Sequence, residues 1–356
     1  MKIRELKAER VEFKLSRPYS ISYFSVDAVE NIIVKVSTAG GETGFGCAAP
    51  MSLVTGETID SSLAVLESGE VQSVLKGGEV AQVHALIEEL ASPLSSNPAA
   101  RAAVEMALFD LLGKLHGLPL YRFYTRTASP LPTSITIGIK SVEESLKEAR
   151  EYLSRGFKSI KVKLGKNPEE DIERMRKLRE TCGPEVSLRV DMNQGYTAEE
   201  LNSFFQAADG LNIELVEQPL PTADYRSMEK IERQRRKICA ADENLHGPVD
   251  ALELLQPEPH FGIYNIKLMK SGGPVPARRI ADIAALAGIE LMWGCNDESR
   301  ISISAALNTA LSCSGTRYLD LDGHLDLTGD VAEGGFTIKE GIMYPSDEPG
   351  LGVKVH

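Results

Sequence analysis

The sequence lacks most of what marks the special classes of protein. It has five cysteines, Cys47, Cys182, Cys239, Cys295 and Cys313, an odd number with no C-x-x-C pair. That argues against a disulfide framework and a zinc knuckle, and it suits a reducing compartment. No uninterrupted apolar run approaches eighteen residues, so no membrane-spanning helix is expected. The first residues, MKIRELKAERVEF, are charged throughout and contain no apolar signal-peptide core. An excess of positive charge is also missing: 39 Lys and Arg against 51 Asp and Glu leave a formal charge of −12. A chain this acidic repels nucleic acid and anionic membrane unless a local basic patch overrides the total. The densest basic run, Arg233 to Lys237, reads as the solvated face of a short helix. The expectation is a cytoplasmic protein whose partner is a small molecule. A homo-oligomer is compatible with the sequence.

What is present is an orderly change of texture. Residues 1–50 read as an antiparallel meander, with Arg10–Leu15, Asn31–Val36 and Thr43–Cys47 as strands and a turn at Ala39–Glu42. Helical periodicity follows. Its clearest case is Pro98–Gly117, where Ala103, Met106, Ala107, Leu111 and Leu115 form a stripe and Gly117 is a stop. After Ser129-Pro130, eight short β-rich runs alternate with helical patterns. The runs are Thr133–Ile139, Ser159–Leu164, Ser187–Asp191, Ile213–Glu217, Ile238–Asp242, Tyr264–Leu268, Glu290–Trp293 and Arg317–Asp322. Parallel strands need crossover helices, and eight of them close into a ring. The predicted fold is α/β: a (β/α)8-type barrel over residues 126–330. A capping α+β domain spans 1–125, completed by a returning tail at 331–356.

The charges on these strands carry the chemistry. Central barrel strands should be nearly continuous apolar runs. Here Lys161 and Lys163 end one, and Asp191, Glu217, Asp242, Lys267 and the pair Asp320/Asp322 end others. The successive steps from Lys163 to Asp191, Glu217, Asp242 and Lys267 are 28, 26, 25 and 25 residues. A βα unit repeats at about that length, so the groups converge on the C-terminal mouth, where barrel active sites lie. Lys161 and Lys163 share strand parity and point the same way, as do Asp320 and Asp322. Three carboxylates on three adjacent strands, with no His or Cys, suit Mg²⁺. Lys163 and Lys267 would face each other across that site. An ammonium crowded by Lys161 and a divalent cation should have a depressed pKa, as a general base requires.

These residues resemble the enolase superfamily, and within it the muconate-lactonizing-enzyme subgroup. The resemblance spans nearly the whole chain. It is carried by Lys161-Val162-Lys163, by Asp191 in D-M-N, by Glu217 in E-Q-P, by Asp242 in A-D-E and by Lys267 in N-I-K-L-M-K-S-G-G. It implies Mg²⁺ on Asp191, Glu217 and Asp242, with Lys161 on the substrate carboxylate. Lys163 and Lys267 become a two-sided acid/base pair working through an enediolate. Asn193 and Glu243 become supporting partners. Within the subgroup the Asp320-x-Asp322 pair is similar to that of the dipeptide epimerases, where it binds the free ammonium of a dipeptide. Two carboxylates at the mouth call for a cation. Cycloisomerases, o-succinylbenzoate synthases and N-acylamino acid racemases remain alternatives. So do a Schiff-base lyase and a non-catalytic metal-dependent binding protein.

The second residue of such a dipeptide is expected to be hydrophobic or cationic rather than acidic. Phe24, beside Tyr23, stands where relatives acting on Ala-Glu carry an arginine. No Lys or Arg lies between Arg17 and Lys35. Asp297, after the seventh strand, could pair with a cationic side chain. Tyr19–Val26 and Pro50–Glu57, the latter with an exposed Met51 and Leu53, are expected to close over the mouth and exclude water.

Overall fold

The computed structural model describes residues 1–21, 24–123 and 129–356, with the side chains of 18–26 left aside. Three strands, β1 (Ile3–Ile21), β2 (Phe24–Thr38) and β3 (Thr43–Ala48), form an antiparallel sheet in the order β1-β2-β3. β1 and β2 run well beyond the predicted segments. The extension pairs backbone to backbone, so side-chain alternation alone does not reveal it.

The helix Pro98–His116 packs on this sheet. Pro98 opens it, and Gly117 ends it at φ +65°, in the left-handed region. β3 approaches this helix so closely that a Cβ on Gly44 or Gly46 would lie 2.1 Å from Ala107 O or 1.8 Å from Ala103 O. The sequence predicts a one-sided stripe here. The structure instead buries every residue from Ala102 to Gly113, because the sheet, the barrel and the tail surround the helix.

The eight-stranded parallel sheet is a barrel. After β4 (Leu131–Pro132) come β5 (Ile135–Ile137), β6 (Ser159–Lys163), β7 (Ser187–Asp191) and β8 (Ile213–Glu217). β9 (Cys239–Ala241), β10 (Ile263–Ile266), β11 (Glu290–Gly294) and β12 (Thr316–Asp320) complete it. The strands lie side by side in chain order, and a Thr133–Leu319 bridge joins the two ends. Helices Val142–Ser154, Pro168–Cys182, Ala198–Ala207 and Pro274–Ala287 alternate with these strands, as the sequence pattern predicts. The tail forms β13 (Ala332–Gly334), β14 (Phe336–Lys339), β15 (Ile342–Pro345) and β16 (Val353–Val355). It reaches the cap as expected: Leu351 N donates to Asp110 Oδ1 and Gly350 N donates to Leu118 O, both at 2.9 Å.

Two local expectations are corrected. Arg236, in the basic run, is buried and pairs with Glu258 at 2.7 Å. Leu53 is exposed, but Met51 is half-buried. No described helix is long and apolar enough to cross a membrane, and all five cysteines are free.

Glu105 ties the cap helix to the barrel. Its buried carboxylate accepts from Arg101 Nε and from Val275 N, each at 3.0 Å. Burial outweighs Arg101 and pushes Glu105 up to about 7 from 4.5. Between those values the unfolded chain has released the proton and the folded one holds it, so stability falls as pH rises from about 4.5 through 7. The upper bound is about 3 kcal/mol at 1.36 kcal/mol per pKa unit. Glu105→Gln should therefore show a flatter melting temperature between pH 5 and 8 than wild type. Parallel curves for the two proteins would show that the titration lies elsewhere.

Candidate active site

The parallel register brings the charged ends together. Lys163 pairs with Asp191 across β6 and β7, and Asp191 pairs with Glu217 across β7 and β8. Glu217 pairs with Ala240 rather than Asp242, so Asp242 stands two residues further along. The offset is even, and its side chain still faces the same cluster. Lys267 follows β10 directly, at the start of a short helical turn Leu268–Ser271.

Lys161 Nζ stands among three acids: Asp191 Oδ2 at 3.0 Å, Glu217 Oε2 at 2.7 Å and Asp320 Oδ2 at 2.8 Å. Lys163 Nζ lies 2.8 Å from Asp191 Oδ2 and 2.9 Å from Asn193 Oδ1. Lys267 Nζ lies 2.9 Å from Asp242 Oδ2. A residue the sequence reading missed, Lys270, holds the other oxygen, Asp242 Oδ1, at 2.5 Å. It lies on the helical turn, where strand parity cannot place it. Asn193 N donates to Asp191 Oδ1 at 3.0 Å, and Asn193 Nδ2 reaches Glu243 Oε1 at 3.4 Å. Asn265 Nδ2 donates to Glu217 Oε1 at 2.8 Å.

The electrostatics follow from burial and these pairs. Burial opposes ionisation of Asp191, but Lys161 and Lys163 outweigh it and hold the carboxyl low. Asp242 is held well below its usual range in the same way, by Lys267 and Lys270 against burial. Burial, with Asp191 beside it, pushes Glu217 up to about 8. Burial pushes Lys270 down, against the pull of Asp242. Lys161 and Lys267 are raised, because carboxylates outweigh burial there.

The donor set suits a hard divalent cation. Every candidate ligand is a carboxylate, and Glu217 Oε2 and Glu243 Oε2 are buried without an aligned hydrogen bond. Among the described residues, no three His, Cys, Asp or Glu side chains gather into a ready metal cage. Lys161 stands between the acids instead, paired with Asp191, Glu217 and Asp320.

The mouth is acidic on its opposite side. Asp320 accepts from Ser134 Oγ at 2.5 Å, and Asp322 Oδ2 accepts from Thr136 N at 2.8 Å. Burial, then Asp320 and Asp326, push Asp322 up to about 8. Burial and Asp297 push Asp326 up to about 6. Asp297 is half-buried beneath β2, its backbone oxygen accepting from Asn31 Nδ2 at 3.2 Å. Asp326, in the loop beyond β12, is another residue that sequence reading missed. The side chains of the Tyr19–Val26 segment, Phe24 among them, fall outside what the structure describes. The Pro50–Glu57 loop is anchored by buried Glu57, whose carboxylate accepts from Ala99 N at 2.5 Å.

A capped barrel with lysines and carboxylates interleaved at its strand ends defines a barrel enzyme. The enolase C-terminal domain-like family matches residues 144–356, and the mandelate racemase/muconate lactonizing enzyme N-terminal domain matches residues 3–123. The chain belongs to this family, within the enolase superfamily. Among its relatives is an L-Lys-D/L-Arg epimerase of Desulforapulum autotrophicum, 48% identical over 99% of both chains. Among solved structures, a dipeptide epimerase of Methylococcus capsulatus, complexed with Mg and the dipeptide L-Arg-D-Lys, superposes with TM-score 0.97. It is 48% identical and both chains are fully covered. A substrate-liganded L-Ala-D/L-Glu epimerase of Bacillus subtilis superposes with TM-score 0.93 at 33% identity, over 99% of each chain.

Proposed function

We propose that this protein is a Mg²⁺-dependent dipeptide epimerase that inverts the α-carbon of the carboxy-terminal residue and prefers a cationic side chain there. The observation that carries the reading is the pair Lys163 and Lys267, which reach the acid cluster from different strands, one onto Asp191 and the other onto Asp242. Two bases so placed can take a proton from one face of a carbon and return it to the other. Relatives that epimerise dipeptides support the substrate class.

Asp191, Glu217 and Asp242 would hold the metal, with Glu243 beside them. Bound there, Mg²⁺ would supply Lewis acidity against the charge that develops on the substrate carboxylate. Lys161 hydrogen-bonds that carboxylate. One of Lys163 and Lys267 removes the α-proton, and the other, arriving protonated, delivers its own to the opposite face of the enediolate. Asp320 and Asp322 bind the substrate ammonium, and Asp297 receives the cationic side chain. Residues 1–125 and the tail from 331 act as the cap, and residues 126–330 as the catalytic barrel.

The selectivity has a direct test. In D₂O with Mg²⁺, L-Ala-L-Lys should exchange its carboxy-terminal α-proton faster than L-Ala-L-Phe, and L-Ala-L-Glu slowest. Asp297→Asn should lower kcat/KM for L-Ala-L-Lys by about tenfold or more, since a hydrogen bond to a charged group contributes about 1.5–3 kcal/mol. The L-Ala-L-Phe rate should stay within about threefold, because that side chain forms no such bond. Fast exchange of the Glu peptide alone would sink this reading.

A further inference from the structure

We propose that Gln218 is a positioning residue that fixes the Asp242 carboxylate relative to Glu217 for divalent-cation binding. The inference rests on the reading of Asp191, Glu217 and Asp242 as the metal site.

The reasoning begins with the backbone. β9 ends at Ala241, so the N–H of Asp242 falls beyond the ladder that fixes the rest of the strand. Gln218 Oε1 takes its place, accepting from Asp242 N at 3.0 Å and from Asn244 N at 3.2 Å. The other end of the amide is equally committed. Gln218 Nε2 donates to Leu220 O at 2.9 Å and to Asn244 Oδ1 at 2.6 Å. Two acceptor lone pairs and two N–H groups are the whole capacity of a glutamine amide, and all are used. The side chain is completely buried.

The main chain of Gln218 ties in the third strand. Its N–H donates to Ala240 O at 2.9 Å, and its carbonyl accepts from Gln194 N at 2.8 Å. One residue thus joins the ends of β7, β8 and β9, each of which supplies one proposed ligand. It does so at φ +30°, in the left-handed region. A non-glycine residue there is uncommon and persists only where its surroundings over-determine it. Gln218 touches neither substrate nor metal in this scheme. It acts through Asp242.

The test compares Mg²⁺ binding by isothermal titration in wild type, Gln218→Met and Gln218→Glu. Melting curves are taken in parallel. Outer partners of a metal site contribute about 10–100-fold in affinity. Gln218→Met, of similar length but without hydrogen bonds, should raise the Mg²⁺ dissociation constant at least about tenfold. Its kcat should recover as Mg²⁺ is raised. Gln218→Glu keeps the acceptor that holds Asp242 N but loses both donors. It should also bind Mg²⁺ more weakly, although an added negative charge alone would strengthen cation binding. This milder variant keeps the test open if the methionine variant does not fold. A lowered melting temperature with unchanged Mg²⁺ affinity in the folded variants would overturn the proposal and leave a purely structural glutamine. Failure of wild type itself to bind Mg²⁺ would overturn the metal reading, and the proposal with it.

Discussion

Replacing Lys267 by alanine should yield a folded protein that exchanges the α-proton of only one of two epimeric dipeptides with D₂O and interconverts neither. Replacing Lys163 should give the complementary result with the other epimer. The expected loss of epimerisation is about 10²–10⁴-fold, the usual contribution of a positioned acid or base. The structure explains why folding should survive. Asp242 retains Lys270 on its Oδ1 oxygen when Lys267 is lost, and Asp191 retains Lys161 when Lys163 is lost. Neither variant leaves a buried carboxylate without a cation, which is the costly outcome of removing half of a buried pair. The readout is ¹H NMR of the α-proton, beginning separately from the L,L and L,D peptides. If both variants exchanged both epimers at wild-type rates, the two-lysine mechanism would be wrong.

Chelation is expected to have an effect of similar size. Dialysis against EDTA should remove epimerase activity, and added Mg²⁺ should restore it. Glu217→Gln should bind Mg²⁺ at least about 100-fold more weakly, since losing a ligand exceeds the 10–100-fold typical of losing an outer partner. Its melting temperature in chelator should not fall below that of wild type. Glu217 is fully buried and pushed up to about 8 by burial and Asp191, so without the metal its carboxyl is already mostly neutral near pH 7 and an amide replaces it at little electrostatic cost. A site so arranged sacrifices some stability for function. A glutamine variant with wild-type activity at low Mg²⁺ would exclude Glu217 as a ligand.

The barrel was legible in the sequence because charge interrupts apolar runs at intervals close to one βα unit. The bounds of β7 and β8 agree to the residue, since Asp191 and Glu217 terminate both the apolar pattern and the ladder. Charge at a strand end was enough to bring Lys161, Lys163, Asp191, Glu217 and Asp242 into one cluster. The two-residue offset of Asp242 against Glu217 was not visible, because even steps preserve parity. Lys270, Gln218 and Asp326 were missed for a common reason. Each lies past the end of a strand, where neither the two-residue nor the 3.6-residue period says which way a side chain points. The helix Pro98–His116 was legible in extent but not in burial, since a stripe of apolar residues cannot reveal that small alanines on the other faces are covered as well.

The join between β5 and β12 has a consequence of its own. A single backbone bridge closes the barrel there, and polar side chains do much of the remaining work. Arg189 NH1 spans from inside the barrel to Leu319 O at 2.7 Å. Asp320 and Asp322 reach across to Ser134 and Thr136. The oxygens proposed to greet the substrate ammonium are thus also the staples of the ring. An arriving dipeptide would negotiate with a joint rather than a finished wall. The Thr136 amide, which donates to Asp322, is therefore a natural reporter: its hydrogen-exchange rate should respond to occupancy before any distant part of the barrel does.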